Sequence, residues 1–359
     1  MAIDLGSSGT SLKFIAVVIG LTAAMLALTF GASLLIPIIV AFILTNVLEA
    51  LIERMIERIN MPSRIAIPIS VMITFLLISA FVYVIVDQAD EFIAAWPRYF
   101  ERLRALAESM TALLGQDIMA RLQARLSDLD LAGHISSAIG SAGAILLNAG
   151  LVLLYAGFLL AERGRIFNRL VQLSRHPDEK EHVATVLTSV SRGIRQYLFV
   201  KTVMSLLTAA TSYTVLRYLE LDFAETWALI IFFLNYIPSI GSALGVVFPA
   251  LLALVQFDAI TSFIVIAIGL AGLQFAIGNI LEPTLMGRSL NLSPFVIIVS
   301  LAFWSTIWGI AGAFLAVPIT AAIVILCREI KGWEWVAMLL SNAESKSHND
   351  ELVARHSSV

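Results

Sequence analysis

Residues 234–245 read LNYIPSIGSALG and lie in the middle of a long apolar block, 223–257. Asn235, Pro238, Gly241 and Gly245 interrupt a segment that otherwise suits lipid. A helix in hydrocarbon has to satisfy its own backbone, so breaks occur only where protein or water surrounds them, or where the chain has reached the surface. The block is too long for one span and is broken at its centre. It therefore reads as a hairpin of two spans or as a pair of half-helices. The block 295–327 matches it in length, with Trp308-Gly309 and Gly312 near its centre and Pro318 later.

The rest of the chain sets the context for these two blocks. Of 359 residues, 59% are hydrophobic and 14% charged, and the mean hydropathy is +0.91. Globular proteins in water hold about 45–50% apolar and about 25% charged residues. Crossing about 30 Å of hydrocarbon takes about 20 apolar residues of helix, and several windows reach that length. The class is an all-α polytopic membrane protein. A net charge of −3 argues against a nucleic-acid partner, and one cysteine, Cys327, offers neither a disulfide nor a metal set.

Residues 1–86 read as N-terminal membrane helices. A first pair, 14–31 and 33–48, has Gly31 and Pro37 marking a turn or a kink. A charged stretch at 49–64 and a span at 65–86 follow. Residues 87–138 form a helical insert outside the bilayer or on its surface. In it Phe92, Trp96, Tyr99, Leu103, Leu106, Met110 and Leu113 follow steps of three and four, and Met119, Leu122, Leu126 and Leu129 resume them after a break. A span at 139–161 carries Gly143, Gly150 and Gly157, which suit close packing. Residues 162–197 are a basic helical segment leading straight into a span at 198–219. Residues 198–340 are a membrane core with broken helices, and 341–359 a disordered tail. Lysine and arginine bias places 162–197 in the cytoplasm and the 87–138 insert outside. With both long blocks counted as hairpins there are about eight crossings, and both termini are cytoplasmic.

No nucleotide-binding loop, zinc motif or nucleophile elbow is present. All five histidines fall in loops or the tail. No enzyme, cofactor or metal is expected, so function rests on the polar residues of the core. Asn235, Pro238, Ser239 and Gly241 read as a substrate or ion site or a gate, or else as a turn at the membrane surface. Spacing alone favours the turn. Glu282, followed by Pro283, is the most informative acid, because a carboxylate at mid-membrane costs about 2.5–3.5 kcal/mol on insertion scales. It reads as a cap for freed N–H groups, a cation or proton site, or an ordinary acid at a helix end. Asn279 lies within the turn before it. Gln274, Gly278 and Glu282 fall at i, i+4 and i+8, a polar stripe on one face. Asp222, Glu225 and Asp258 read as interfacial. Lys201 reads as snorkelling from just inside its span.

The stretches NYIPSIGSALG (235–245), EPTLMGRSLNLSP (282–294) and WGIAGAFLAVP (308–318) resemble the autoinducer-2 exporter family, the PerM-like permeases. The strongest signal is the run of Glu282, Pro283, Leu285, Gly287, Ser289, Leu290, Leu292 and Pro294. Of these, Gly287, Ser289 and Pro294 form the structural motif with Gly309, Gly312 and Pro318. One departure concerns the fifth span. The family often carries Gly-Gln after its opening tyrosine, whereas Tyr197 is followed here by Leu198, Phe199, Val200 and Lys201. The resemblance implies about eight transmembrane helices, a bacterial inner-membrane location and a homo-oligomer. It also implies export of a small solute or signal such as autoinducer-2, with sodium(lithium)/proton antiport in some members. The alternatives carried forward are that antiporter and a non-transporting scaffold.

Overall fold

Hydrocarbon offers no partner to a free N–H or C=O, so long apolar runs of this chain fold as helices. The computed structural model describes residues 18–20, 22–109, 131–173, 177–286, 292–330 and 332–341. Among the described residues the elements are helical, with one isolated bridge between Leu292 and Ser341. They are α1 (Ala32–Ile59), α2 (Ser63–Ser109), α3 (Leu131–Gly140), α4 (Ala142–Gln172), α5 (Pro177–Tyr218), α6 (Ala224–Leu234) and α7 (Ile240–Gln256). There follow α8 (Ile260–Phe275), a π-helical segment (Ala276–Leu281), α9 (Glu282–Met286), α10 (Pro294–Glu329) and α11 (Glu334–Leu340). Six helices are long and apolar enough to cross a membrane. The polytopic all-α class holds, whereas a count of eight crossings does not follow from these elements.

One difference arises at the start. A short helix, Val18–Phe30, precedes α1. The Gly31 N–H donates to Ala27 O, and the Leu35 N–H donates to Gly31 O, each at 2.8 Å. These are helical bonds on both sides of Gly31, so the glycine bends the chain without reversing it. Leu28, Ala32, Leu35, Ile39 and Ile43 accordingly pack on the same apolar cluster. The expected pair of spans 14–31 and 33–48 is one bent helix where it is described, and the placement of the N-terminus, which counted two spans, loses its basis.

Helices α1, α2 and α4 form an N-terminal bundle around Ala41, Leu48, Ile52, Ala66 and Ala156. Of the three spaced glycines only Gly157 meets a neighbour, Val71, while Gly143 and Gly150 face open space. Helix α2 runs on far past its apolar part. Phe92, Trp96 and Tyr99 on this extension pack against the apolar cluster at the base of α6 and α7, with the Phe92 and Phe223 rings 5.5 Å apart. Arg98 and Tyr99 both bond the Asp222 carboxylate, at 2.7 and 2.6 Å, and Arg102 pairs with Asp258 at 2.7 Å. The acids read as interfacial at 222 and 258 are thus the anchors of this extension. The rest of the insert, 110–130, lies outside the described residues.

Both long blocks are hairpins. In the first, α6 and α7 start and end together: the Asp222 N–H donates to Gln256 Oε1, and Gln256 Nε2 donates to Glu220 O, both at 2.8 Å. In the second, α10 is one continuous assignment, but Gly309 (φ 59, ψ −137) reverses it. The Ser300 hydroxyl bonds Ala316 O at 3.1 Å and also the Thr320 hydroxyl. In a straight helix residues 16 and 20 apart would lie about 24 and 30 Å from one another, so the arms 294–308 and 310–329 are antiparallel. The tightness of both turns fixes a glycine just after each tip. A Cβ on Gly241 would lie 1.7 Å from Leu234 O, and one on Gly312 would lie 1.8 Å from Trp304 O.

The hairpins enter from opposite ends of α5. The first has its base beside Tyr218, at the end of α5 that meets Asp222. The second has its base where Leu292, Val324 and Cys327 pack on Ile194, Tyr197 and Leu198, near the start of the membrane part of α5. Their inner parts meet. Ile237 of the first joins Trp304, Trp308, Ala313 and Ala316 of the second in one cluster.

Candidate functional site at the hairpin tip

The first hairpin has unequal arms, α7 with 17 residues and α6 shorter. Helix α6 has 11 residues, or about 16 Å at 1.5 Å per residue. Its tip is held by α5 side chains that lie well short of the basic end. The Asn235 amide donates to Ser205 Oγ at 3.0 Å, and the Tyr236 and Thr202 hydroxyls are 2.8 Å apart. Ser205 is about 20 Å along α5 from Tyr218, against about 30 Å of hydrocarbon. LNYIPSIGSALG is therefore a tight tip tied to the middle of α5 through Asn235 and Tyr236. Spacing reports that a chain breaks and says nothing of what meets the break, which here is a pair of α5 hydroxyls.

The tip residues differ in exposure. Asn235 and Gly241 are buried, Pro238 is half-buried, and Ser239 is exposed with φ 62, a left-handed strain that a non-glycine rarely accepts. Gln274 is buried beside the tip, close enough that a methyl on Gly245 would sit 2.9 Å from its Nε2.

The carboxylate of Glu282 accepts a hydrogen bond at 2.6 Å from Lys201 Nζ. Their side chains are only 15% and 6% exposed. Lys201 therefore does not snorkel; it pairs inside the protein, one turn below the Ser205 that holds Asn235. Of the expected stripe of Gln274, Gly278 and Glu282, the two ends face protein while Gly278 faces open space. In an α-helix Gln274 and Glu282 drift apart by about 80°. The π-helical segment between them has wider turns, which take up that drift. Asn279, within the π segment, is exposed, as are Pro283 and Pro294. Gly287 and Ser289 lie outside the described residues. In the second hairpin Gly309 is exposed at the turn, while Gly312 and Pro318 are buried.

Sequence reading missed a row of buried polar groups on α5. Lys201, Ser205, Thr208 and Ser212 are all buried, at steps of four, three and four. That helical period was visible in the sequence, but three other threonines in the span (202, 211 and 214) diluted it. Above this row the path is closed by Leu216, Leu221, Ile266 and Leu270, all at or below 2% exposure.

A second polar group lies toward the other end. Glu49, 7% exposed, pairs with both Arg163 and Arg195, and Arg195 also reaches Glu53 at 3.2 Å. Asn46 accepts from the Ser191 hydroxyl at 2.9 Å. These side chains line a cavity of about 610 Å³ between α1, α4, α5 and α10. Two arginines of the basic 162–197 segment are thus partly neutralised by acids of the 49–64 stretch. Among the described residues no group of three or more metal-ligating side chains occurs.

The pattern of known proteins agrees with this architecture. The AI-2E family transporter model matches residues 14–332. The AI-2 transport protein TqsA of Escherichia coli is 36% identical over 150 residues, covering 42% of this chain and 43% of TqsA. A Haemophilus influenzae protein named "Putative transport protein" is 27% identical over 296 residues, covering 79% and 84% of the two chains. The E. coli "Putative transport protein YhhT" is 26% identical over 287 residues, covering 79% and 81%. A family model spanning most of the chain shows that this chain belongs to the AI-2E family of membrane transporters.

Proposed function

We propose that this protein is a gradient-driven secondary transporter of the bacterial inner membrane that exports a small polar solute. The observation that carries this is the polar tip, with Asn235 on Ser205, Tyr236 on Thr202, and Gln274 alongside; we read it as re-entrant, because the α6 arm of 11 residues is shorter than the hydrocarbon is thick. Polar groups in a membrane interior are expensive and mark solute and ion pathways, and broken helices with free backbone groups are where secondary transporters bind. Asn235, Pro238, Ser239, Gly241, Gln274, Asn279, Glu282 and Pro283 form the proposed pathway. Pro294, Gly309, Gly312 and Pro318 shape the backbone of the second hairpin beside it. The name of TqsA makes autoinducer-2 the first solute to try.

The basic 162–197 segment supports a cytoplasmic location for the Glu49 cavity and for the base of the second hairpin. The α2 extension and the base of the first hairpin then face outward. An exposed Asn279 on a membrane helix supports self-association, because a polar side chain there is better covered by protein than by lipid. Sodium(lithium)/proton antiport is the second reading, favoured by a carboxylate at Glu282 inside the membrane.

The test is reconstitution of the purified chain in liposomes. Autoinducer-2 and a panel of small polar solutes are offered under imposed proton and sodium gradients. Gradient-dependent flux that Asn235→Leu removes supports export. Exchange of sodium for protons without solute flux supports antiport. A folded protein that moves neither would refute both and favour a scaffold.

A further inference from the structure

The Lys201–Glu282 pair is not explained by stability. Apolar side chains of similar volume replace buried ion pairs at no loss, and often with a gain. Its location is also specific. Glu282 follows the π segment directly, and π turns concentrate at functional sites. Its partner lies one turn from Thr202 and Ser205, the two residues that hold the hairpin tip. Helix α9 packs on α5 and on the π segment. The other ionisable groups nearby are phenols: Tyr197, close enough to feel the Glu282 charge, and Tyr236 beyond it. Arg195, lower on α5, is held by Glu49 and Glu53. The ammonium of Lys201 is thus the one cation that Glu282 contacts among the described residues. Ser212, further along the same face, has a buried hydroxyl with no partner among the described residues, and is available to a water or a hydrated ion.

Resting on the secondary-transport reading, we propose that Lys201 is a tethered cation that holds the coupling-ion site at Glu282. A monovalent cation binds there by displacing the ammonium, and the displaced lysine gives up one proton. A buried ammonium without its carboxylate is costly and sheds its charge. The step balances. One Nζ–H bond breaks and its electron pair stays on nitrogen. The proton leaves to water, and the incoming cation takes over the carboxylate contact, so the charge of the site is unchanged. Release of the pair frees α5 beside the hairpin tip, which links the ion to the solute. The incoming cation is sodium or lithium, two sources of one charge.

The experiment uses the full chain. In detergent, addition of sodium chloride, with choline chloride as control, releases about one proton per chain, as cation binding to a protonated site must. In liposomes with a pH dye inside, a sodium pulse changes the internal pH. Glu282→Gln removes the response. Lys201→Arg keeps a cation beside Glu282 but cannot shed a proton, and it lowers the response about tenfold or more. The double variant Lys201→Met with Glu282→Leu serves as the folding control: it unfolds no earlier than the native chain and is equally unresponsive. Native-like ion response in Lys201→Arg or Glu282→Gln would overturn the proposal and leave solute export standing. Gradient-driven solute flux with no ion response in the native chain would overturn it too. Absence of any flux from folded native protein would remove the transport reading itself, and the proposal with it.

Discussion

The two hairpins share a backbone device and differ in what they place at its end. Each reverses tightly, and each needs a glycine just beyond the turn because a Cβ there would strike the carbonyl oxygen of Leu234 or Trp304. The first presents Asn235 and Tyr236 to hydroxyls of α5. The second presents Trp304 and Trp308, whose rings lie 4.9 Å apart, and the Trp308 indole donates to Leu28 O at 2.9 Å. One tip is built for polar contact with α5. The other is packed into the bent N-terminal helix and serves as a support. The same fold element thus presents polar groups on one side and an anchor on the other, and the side chains decide which.

That contrast can be broken at several levels. The largest effect is expected where the hairpins are alike. Gly241→Ala and Gly312→Ala each drive a methyl into backbone, so both reach or exceed about 3 kcal/mol, the upper end for overpacking. Thermal unfolding in detergent reads this, and a large loss at one glycine alone would break the equivalence of the two turns. Next is Asn235→Leu. It strands the buried Ser205 hydroxyl, for about 1–3 kcal/mol, and removes solute flux from protein that still folds. Trp308→Phe deletes one hydrogen bond, costs about 1 kcal/mol, and leaves flux within about twofold of native. If Trp308→Phe stopped flux and Asn235→Leu did not, the roles assigned to the two tips would be reversed. The smallest effect is Tyr99→Phe at the base of the first hairpin. It removes one bond to Asp222 while Arg98 keeps the other, for about 0.5–1 kcal/mol, and flux is unaltered.

How much of this was legible in the sequence differs between the regions. Composition and the lengths of apolar runs were enough for the membrane class. The breakers at 235–241 and 309–312 marked both reversals, because glycine and proline act locally. Depth was not legible, since it depends on which α5 side chain meets Asn235, a contact between residues 30 apart. Lys201 misled for the same reason. A lysine near a span end usually snorkels, and only the fold brings Glu282, 81 residues away, to its ammonium. Gly31 misled in the other direction. A glycine between two apolar runs looks like a turn, but its helical hydrogen bonds survive and the chain goes on. The π segment left no mark in the residues AIGNIL, yet it is what aligns Gln274 with Glu282.

The central proposal is that the first hairpin is re-entrant, with its tip inside the membrane. Single cysteines at Ser239, Glu57 and Asp258, introduced with the buried Cys327 replaced by serine, test it with a membrane-impermeant maleimide applied to vesicles of either orientation. The account predicts that Glu57→Cys and Asp258→Cys each react readily from one side. Ser239→Cys, exposed on the protein, reacts about tenfold or more slowly from both, because it faces hydrocarbon, where neither the reagent nor a thiolate is present. Ser239→Cys labelling as fast as Glu57→Cys from the same side would make the hairpin a pair of full crossings with a surface turn, and would contradict the account.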